Sequence, residues 1–114
     1  MENTVIIAFR GNLGAGKTVF IKGLARGLGA RGRVASPTFV LARRHIGKKI
    51  LLLHVDAYRI GNRREAMLIE RAILEAPRSV VAIEWHERVL HIEPNLTVEI
   101  QHLGGNRRRI TVHG

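Results

Sequence analysis

The sequence predicts an α/β fold, with a mainly parallel central sheet between helices and antiparallel hairpin strands at its edges. Three observations lead there. The runs TVIIAF (residues 4–9), ILLLHVD (50–56) and SVVAIEW (79–85) are apolar without in/out alternation, the pattern of strands covered on both faces. Two segments between them, 17–28 and 62–75, carry apolar residues at helical spacing. The tail, residues 95–114, alternates around a Gly-Gly-Asn turn, which is a hairpin signal.

The elements follow in order. Residues 4–9 are mostly β-branched and stop at a glycine-rich loop, so they read as a buried strand. In 17–28, Phe20, Ile21, Leu24 and Leu28 fall on one side and Lys22 and Arg26 on the other; Gly29 and Gly32 end the helix. Pro37 drives Ser36 toward extended backbone, and 38–46 reads as a strand. Gly47-Lys48-Lys49 then turns the chain into the second apolar strand, 50–56. The second helix places Glu65, Ile69, Ala72 and Ala76 along one stripe and Arg64, Arg71 and Glu75 along another. The third apolar strand, 79–85, precedes a hairpin of 96–103 and 109–113.

A chain of 114 residues with 46% hydrophobic content has room for one domain, spanning 1–114, and one modest core. It contains no cysteine, which excludes disulfides and thiolate metal sites, and it has no His-x-x-His spacing for zinc. The opening MENTVIIAFRG has no basic leader, and its apolar run is too short for a signal or a membrane span, so a cytoplasmic location without membrane contact is expected. Formal net charge is +10, from 19 Lys and Arg against 9 Asp and Glu. The excess lies in Arg31 and Arg33, Arg43 and Arg44, Lys48 and Lys49, Arg63 and Arg64, and Arg107 to Arg109, a distribution that attracts polyanions such as RNA or an acidic protein. An aromatic content of 4% argues against a stacking platform for single strands.

The chemistry concentrates in one stretch. Gly11-Asn12-Leu13-Gly14-Ala15-Gly16-Lys17-Thr18 fits G-x-x-x-x-G-K-[ST], the P-loop, with the preceding strand and following helix that it requires. Its glycines let successive backbone N–H groups turn inward toward phosphate oxygens. Lys17 is placed to reach the β- and γ-phosphates, and the Thr18 hydroxyl to bind Mg²⁺. The plain competitor is a glycine-rich strand-to-helix turn that binds nothing.

Ligands of open parallel sheets lie beyond the carboxyl ends of the strands, which puts the glycine loop, Asp56 and Glu84 on one edge. Asp56 ends its apolar strand where a metal-holding aspartate belongs, although an ordinary strand-terminal Asp would look the same. Two roles are open to Glu84: sharing Mg²⁺ with Thr18 and Asp56, or orienting the attacking water. Glu87 lies past the strand end and competes weakly. Thr38, after Ser36-Pro37, occupies the place of a threonine that senses the γ-phosphate, and a plain turn is its alternative. His54, inside an apolar run, reads as a hydrogen-bonded core histidine rather than a base.

The motifs GNLGAGKT, SPTF, HVDAYR and IEWHE, in this order and spacing, resemble the TsaE family of small bacterial P-loop ATPases. The resemblance covers nearly the whole chain. It implies a three-layer P-loop NTPase-like fold and an ATPase that acts with TsaB and TsaD in threonylcarbamoylation of adenosine 37 of tRNA. It further implies that the P-loop and Lys17 hold ATP, that Thr18, Asp56 and Glu84 surround Mg²⁺, and that Lys17, Thr38 and Glu84 act in hydrolysis. Tyr58, Arg59 and Trp85 would then shape the site or a partner surface. The sequence departs from the family at Asn12, where Asp is usual, at His86, where Pro is usual, and in 63–77, which lacks the usual Leu-Gly character. It is also expected to lack the strand and helix that precede the P-loop strand in the family. Two other functions compete. A small-molecule kinase would need a lid and an acceptor domain, whereas the gaps between motifs hold only a hairpin and one helix. A basic nucleotide- or RNA-binding module without catalysis is the other, and the absence of Asn-Lys-x-Asp counts against GTP.

Overall fold

The computed structural model describes residues 4–11, 16–29, 34–35, 42–46, 50–57, 60–76, 78–84 and 92–114. The elements run β1 (Thr4–Arg10), α1 (Lys17–Gly27), β2 (Val34–Ala35), β3 (Ala42–Ile46), β4 (Leu51–Asp56), α2 (Arg63–Glu75), β5 (Ser79–Glu84), β6 (Leu96–Gly104) and β7 (Arg107–His113). The seven described strands form one sheet in the order β2-β3-β4-β5-β1-β6-β7. Its centre, β4-β5-β1-β6, is parallel, while β2-β3, β3-β4 and β6-β7 are antiparallel. The fold is therefore the α/β arrangement that the strand patterns predict.

Side chains of successive strand residues point to opposite faces, so each apolar run feeds two cores at once. On one face Ile6, Leu53, Val55, Val81 and Ile83 pack with Ile69 and Ile73 of α2. On the other, Ile7, Phe9, Leu52, Ala82, Val98 and Ile100 pack with Ile21 and Ala25 of α1. These are the three layers. They explain why the central strands lack polar alternation: neither face meets water.

The structure corrects several boundaries. Of the Glu65–Ile69–Ala72–Ala76 stripe, Ile69 lies in the buried face of α2, which Ile73 completes with Ala66 against it. Ile73 was the stronger signal, because burying isoleucine removes far more apolar surface than burying alanine. The described part of the strand expected at 38–46 is β3, and residues 36–41 lie outside the described residues. Antiparallel to it runs β2, only two residues long and too short to leave a sequence pattern. The returning hairpin strand begins at Arg107, two residues before the expected start, because Gly104 and Gly105 adopt φ of 102° and 55° and the turn closes tightly. Among the described residues no helix is long and apolar enough to cross a membrane.

Candidate functional site

Strand β1 delivers its chain to the carboxyl edge of the sheet, and the loop begins at once. Gly11 has φ 152° and Gly16 has φ 111°, both in the region that L side chains rarely adopt. At Gly16 a Cβ would meet nothing within 4 Å, so backbone conformation, not crowding, demands glycine there. Gly16 is also the N-cap of α1 and brings no capping side chain; its carbonyl accepts from the Phe20 amide at 2.9 Å. No acid lies in the first turn of α1, so the helix's own residues place neither a capping oxygen nor a carboxylate at its positive end. That leaves the first-turn amides suited to an anion.

Lys17, the first residue of α1, is only 5% exposed. Its Nζ donates to the Gly11 carbonyl oxygen at 2.7 Å, linking the end of the loop to its start. Thr18 follows on the exposed side of the first turn. Asn12, Leu13, Gly14 and Ala15, which complete the motif, lie outside the described residues, as do Thr38, Tyr58, Arg59, Trp85, His86 and Glu87.

The two acids arrive from the neighbouring strands. In the parallel register Phe9 of β1 pairs with Glu84 of β5, and Glu84 pairs with Asp56 of β4. The three strand ends are thus level, on the same edge as the glycine loop. Glu84 shares the face of Ala82, which is the α1 side, and it is one of the few charged residues buried there, at 7% exposure. Asp56 is half-buried. Folding therefore gathers Gly11, Gly16, Lys17, Thr18, Asp56 and Glu84 at one sheet edge from positions up to 73 residues apart (84 − 11).

One relationship escaped the sequence. His54 Nε2 and Glu84 Oε2 are 2.8 Å apart, a hydrogen bond between side chains 15% and 10% exposed. His54 is the hydrogen-bonded histidine that its apolar setting suggests, but its partner is a residue of the candidate site. The signal that would have found it is positional: two residues before the end of β4, on the face that Glu84 shares.

The donor set suits one kind of ion. Among the described residues no group of three or more His, Asp or Glu could hold a metal alone. Two carboxylates and a threonine hydroxyl are hard oxygen donors, and Mg²⁺ is bound by one or two carboxylates together with phosphate oxygens and water. The residues therefore fit Mg²⁺ bound jointly with a nucleotide.

Comparison with known proteins gives one answer. A family model described as "Threonylcarbamoyl adenosine biosynthesis protein TsaE" matches residues 1–110. A Streptomyces coelicolor protein named tRNA threonylcarbamoyladenosine biosynthesis protein TsaE is 38% identical over 117 residues, covering 96% of this chain and 79% of its own length. The Treponema pallidum protein of that name is 38% identical over 114 residues, covering 98% of this chain and 84% of its own. That of Aquifex aeolicus is 35% identical, with 99% and 80% covered. Among solved structures, YdiB of Bacillus subtilis superposes with a TM-score of 0.70 at 27% identity, over 96% of this chain and 68% of that one.

Proposed function

The chain belongs to the TsaE family, and from that premise we propose that it is a Mg²⁺-dependent ATPase that supports a TsaB–TsaD pair in the threonylcarbamoylation of adenosine 37 of tRNA. The observation that carries the reading is Lys17, buried at the start of α1 and bonded to Gly11, with buried Glu84 level with the end of β1 on the adjoining strand. A buried ammonium and a buried carboxylate each need a hydrogen-bonding partner, and such buried charged groups gather at functional sites. In this reading the loop amides and Lys17 hold the phosphates of ATP, and Thr18, Asp56 and Glu84 hold Mg²⁺. The ion neutralises charge on the transferred phosphoryl group. Thr38 senses the γ-phosphate, and Glu84 orients the reaction at its side of the site.

The partnered half of the reading draws on surface. The outer side of α2 supports this: Met67, Leu68 and Leu74 are exposed beside Arg63, Arg64 and Arg71, a mixed apolar and basic face suited to a protein surface.

The experiment is ATP turnover by the purified chain with Mg²⁺, alone and with a TsaB–TsaD pair from the same source, with Lys17→Ala as the blank. Stimulation by the pair, lost in Lys17→Ala, is the expected result; ATP bound without turnover in both mixtures rejects the ATPase. One observation favours a second reading. Arg107, Arg108 and Arg109 are all exposed on the edge strand β7, where a basic RNA-binding module would carry them. An RNA affinity that falls steeply with salt and ignores Lys17→Ala would select that reading.

A further inference from the structure

Glu84 has been assigned two roles, and its contacts limit how its carboxylate can serve either. A carboxylate that chelates an ion with both oxygens must keep both free. One that orients a water, or binds an ion through one oxygen, needs the other held. In the structure Oε2 is engaged by His54 Nε2 at 2.8 Å, and no other hydrogen bond to the Glu84 carboxylate is made among the described residues. The pair is not a strand-end accident. His54 lies in register with Ala82, so it reaches diagonally along the shared face to the last residue of β5. Both side chains are nearly enclosed, at 15% and 10% exposure, so solvent offers little substitute for the bond.

We propose that His54 is the positioning residue of Glu84: it engages Oε2, fixes the carboxylate's orientation and leaves Oε1 as the single oxygen for the metal or the attacking water. The inference rests on the ATPase reading and deepens it. Asp56, level with Glu84 on β4, is then the more direct metal ligand of the two. Groups that hold a ligand or base in place from behind commonly change metal affinity or activity by about 10–100-fold when removed. The effect falls on the metal and on the reaction step, so at saturating Mg²⁺ it is read in kcat and not in the KM for ATP.

Side-chain length supplies the test. The amide nitrogen of Gln reaches about as far as Nε2 of His, whereas that of Asn stops near Nδ1. His54→Asn should lower kcat for ATP about tenfold or more with KM changed less than about twofold. His54→Gln should recover most of the loss. In a Glu84→Gln background the Asn substitution should add nothing, because the two residues act as a unit. A second readout needs no turnover: Mn²⁺ binding to the chain with a non-hydrolysable ATP analogue, followed by electron paramagnetic resonance. It should weaken about tenfold in His54→Asn and recover in His54→Gln. Circular dichroism melts confirm that each variant folds.

Equal kcat and equal Mn²⁺ affinity in His54→Asn and the unaltered chain would reduce the pair to a packing contact and overturn the proposal. So would equal losses in the Asn and Gln variants. If the unaltered chain binds the analogue but never turns ATP over, the ATPase reading fails by itself, and the Mn²⁺ series still judges His54. If Glu84→Gln keeps full turnover while Lys17→Ala loses it, the P-loop reading stands and the His54 proposal falls.

Discussion

Lys17 Nζ lies 2.7 Å from the carbonyl oxygen of Gly11, so the lysine that closes the glycine loop also grips the residue that opens it. The bond accounts for how a lysine can be 5% exposed at a helix start: its charge has an oxygen to donate to before any phosphate arrives. A bound triphosphate offers stronger, charged acceptors to the same group.

Lys17→Ala should therefore weaken ATP binding about a hundredfold, taking a charge-assisted contact as about 3 kcal/mol. Inorganic tripolyphosphate should lose as much, since the lysine reads phosphate and not the base. Isothermal titration with both ligands checks this. A loss confined to ATP would move Lys17 away from the phosphates.

Ser79 makes the opposite case, a polar group without visible use. It starts β5, paired with Thr4 on one side and Leu51 on the other, and is 2% exposed. Its Oγ is buried and has no hydrogen-bond partner among the described residues. Removing an unsatisfied buried hydroxyl relieves its desolvation cost, so Ser79→Ala should stabilise the fold by about 1 kcal/mol. Urea unfolding would show a raised midpoint at unchanged slope. A lowered midpoint would mean that the hydroxyl is satisfied after all.

Much of the architecture is legible in the residues because local pattern and tertiary burial agree. The β-branched run ahead of Gly11, the glycines and the Phe20–Ile21–Leu24 spacing each specify a strand, a loop and a helix within a few positions, and the structure has β1 and α1 there. Asp56 and Glu84 come level at one edge because each ends an apolar run of a parallel strand. What stayed hidden depends on register or on very short pieces. His54 and Glu84 meet across a separation of 30 residues, which no local pattern encodes. β2 is two residues of edge pairing, and the Glu65–Ile69–Ala72–Ala76 stripe holds Ile69 but omits Ile73, the other buried isoleucine of α2.

The start of α2 is secured locally. Asn62 Oδ1 accepts from the Glu65 amide at 2.9 Å, and Glu65 Oε1 accepts from the Gly61 amide at 2.8 Å. This is a variant of the capping box, with the returning bond one residue further out. Asn62→Ala should cost about 1 kcal/mol and Asn62→Ser much less, because serine also caps. Chemical denaturation distinguishes them; an unchanged midpoint in Asn62→Ala would show that the cap contributes nothing and that packing of Ile69 and Ile73 alone holds the helix.

Asn95 joins β6 to β1 before their ladder begins. Its amide donates to the Ile6 carbonyl at 2.7 Å, and its Oδ1 accepts from the Ile6 amide at 2.8 Å, one step ahead of the Ile7–Leu96 pair. Asn95 thus serves as an additional rung, its main-chain N–H and its side-chain oxygen together satisfying both backbone groups of a residue that is 2% exposed. Asn95→Ala leaves the Ile6 N–H without its acceptor and should cost about 1–2 kcal/mol, toward the lower end because Asn95 itself is exposed. Asn95→Asp keeps the acceptor and should cost less than half as much. Amide hydrogen exchange gives the sharper reading: protection at Ile6 should fall in Asn95→Ala while that at Ala8 holds, because only the first rung is lost. Unchanged protection at Ile6 would mean that the β1–β6 pairing does not depend on Asn95, and that the ladder from Ile7 onward suffices to fix the edge of the sheet beside the glycine loop.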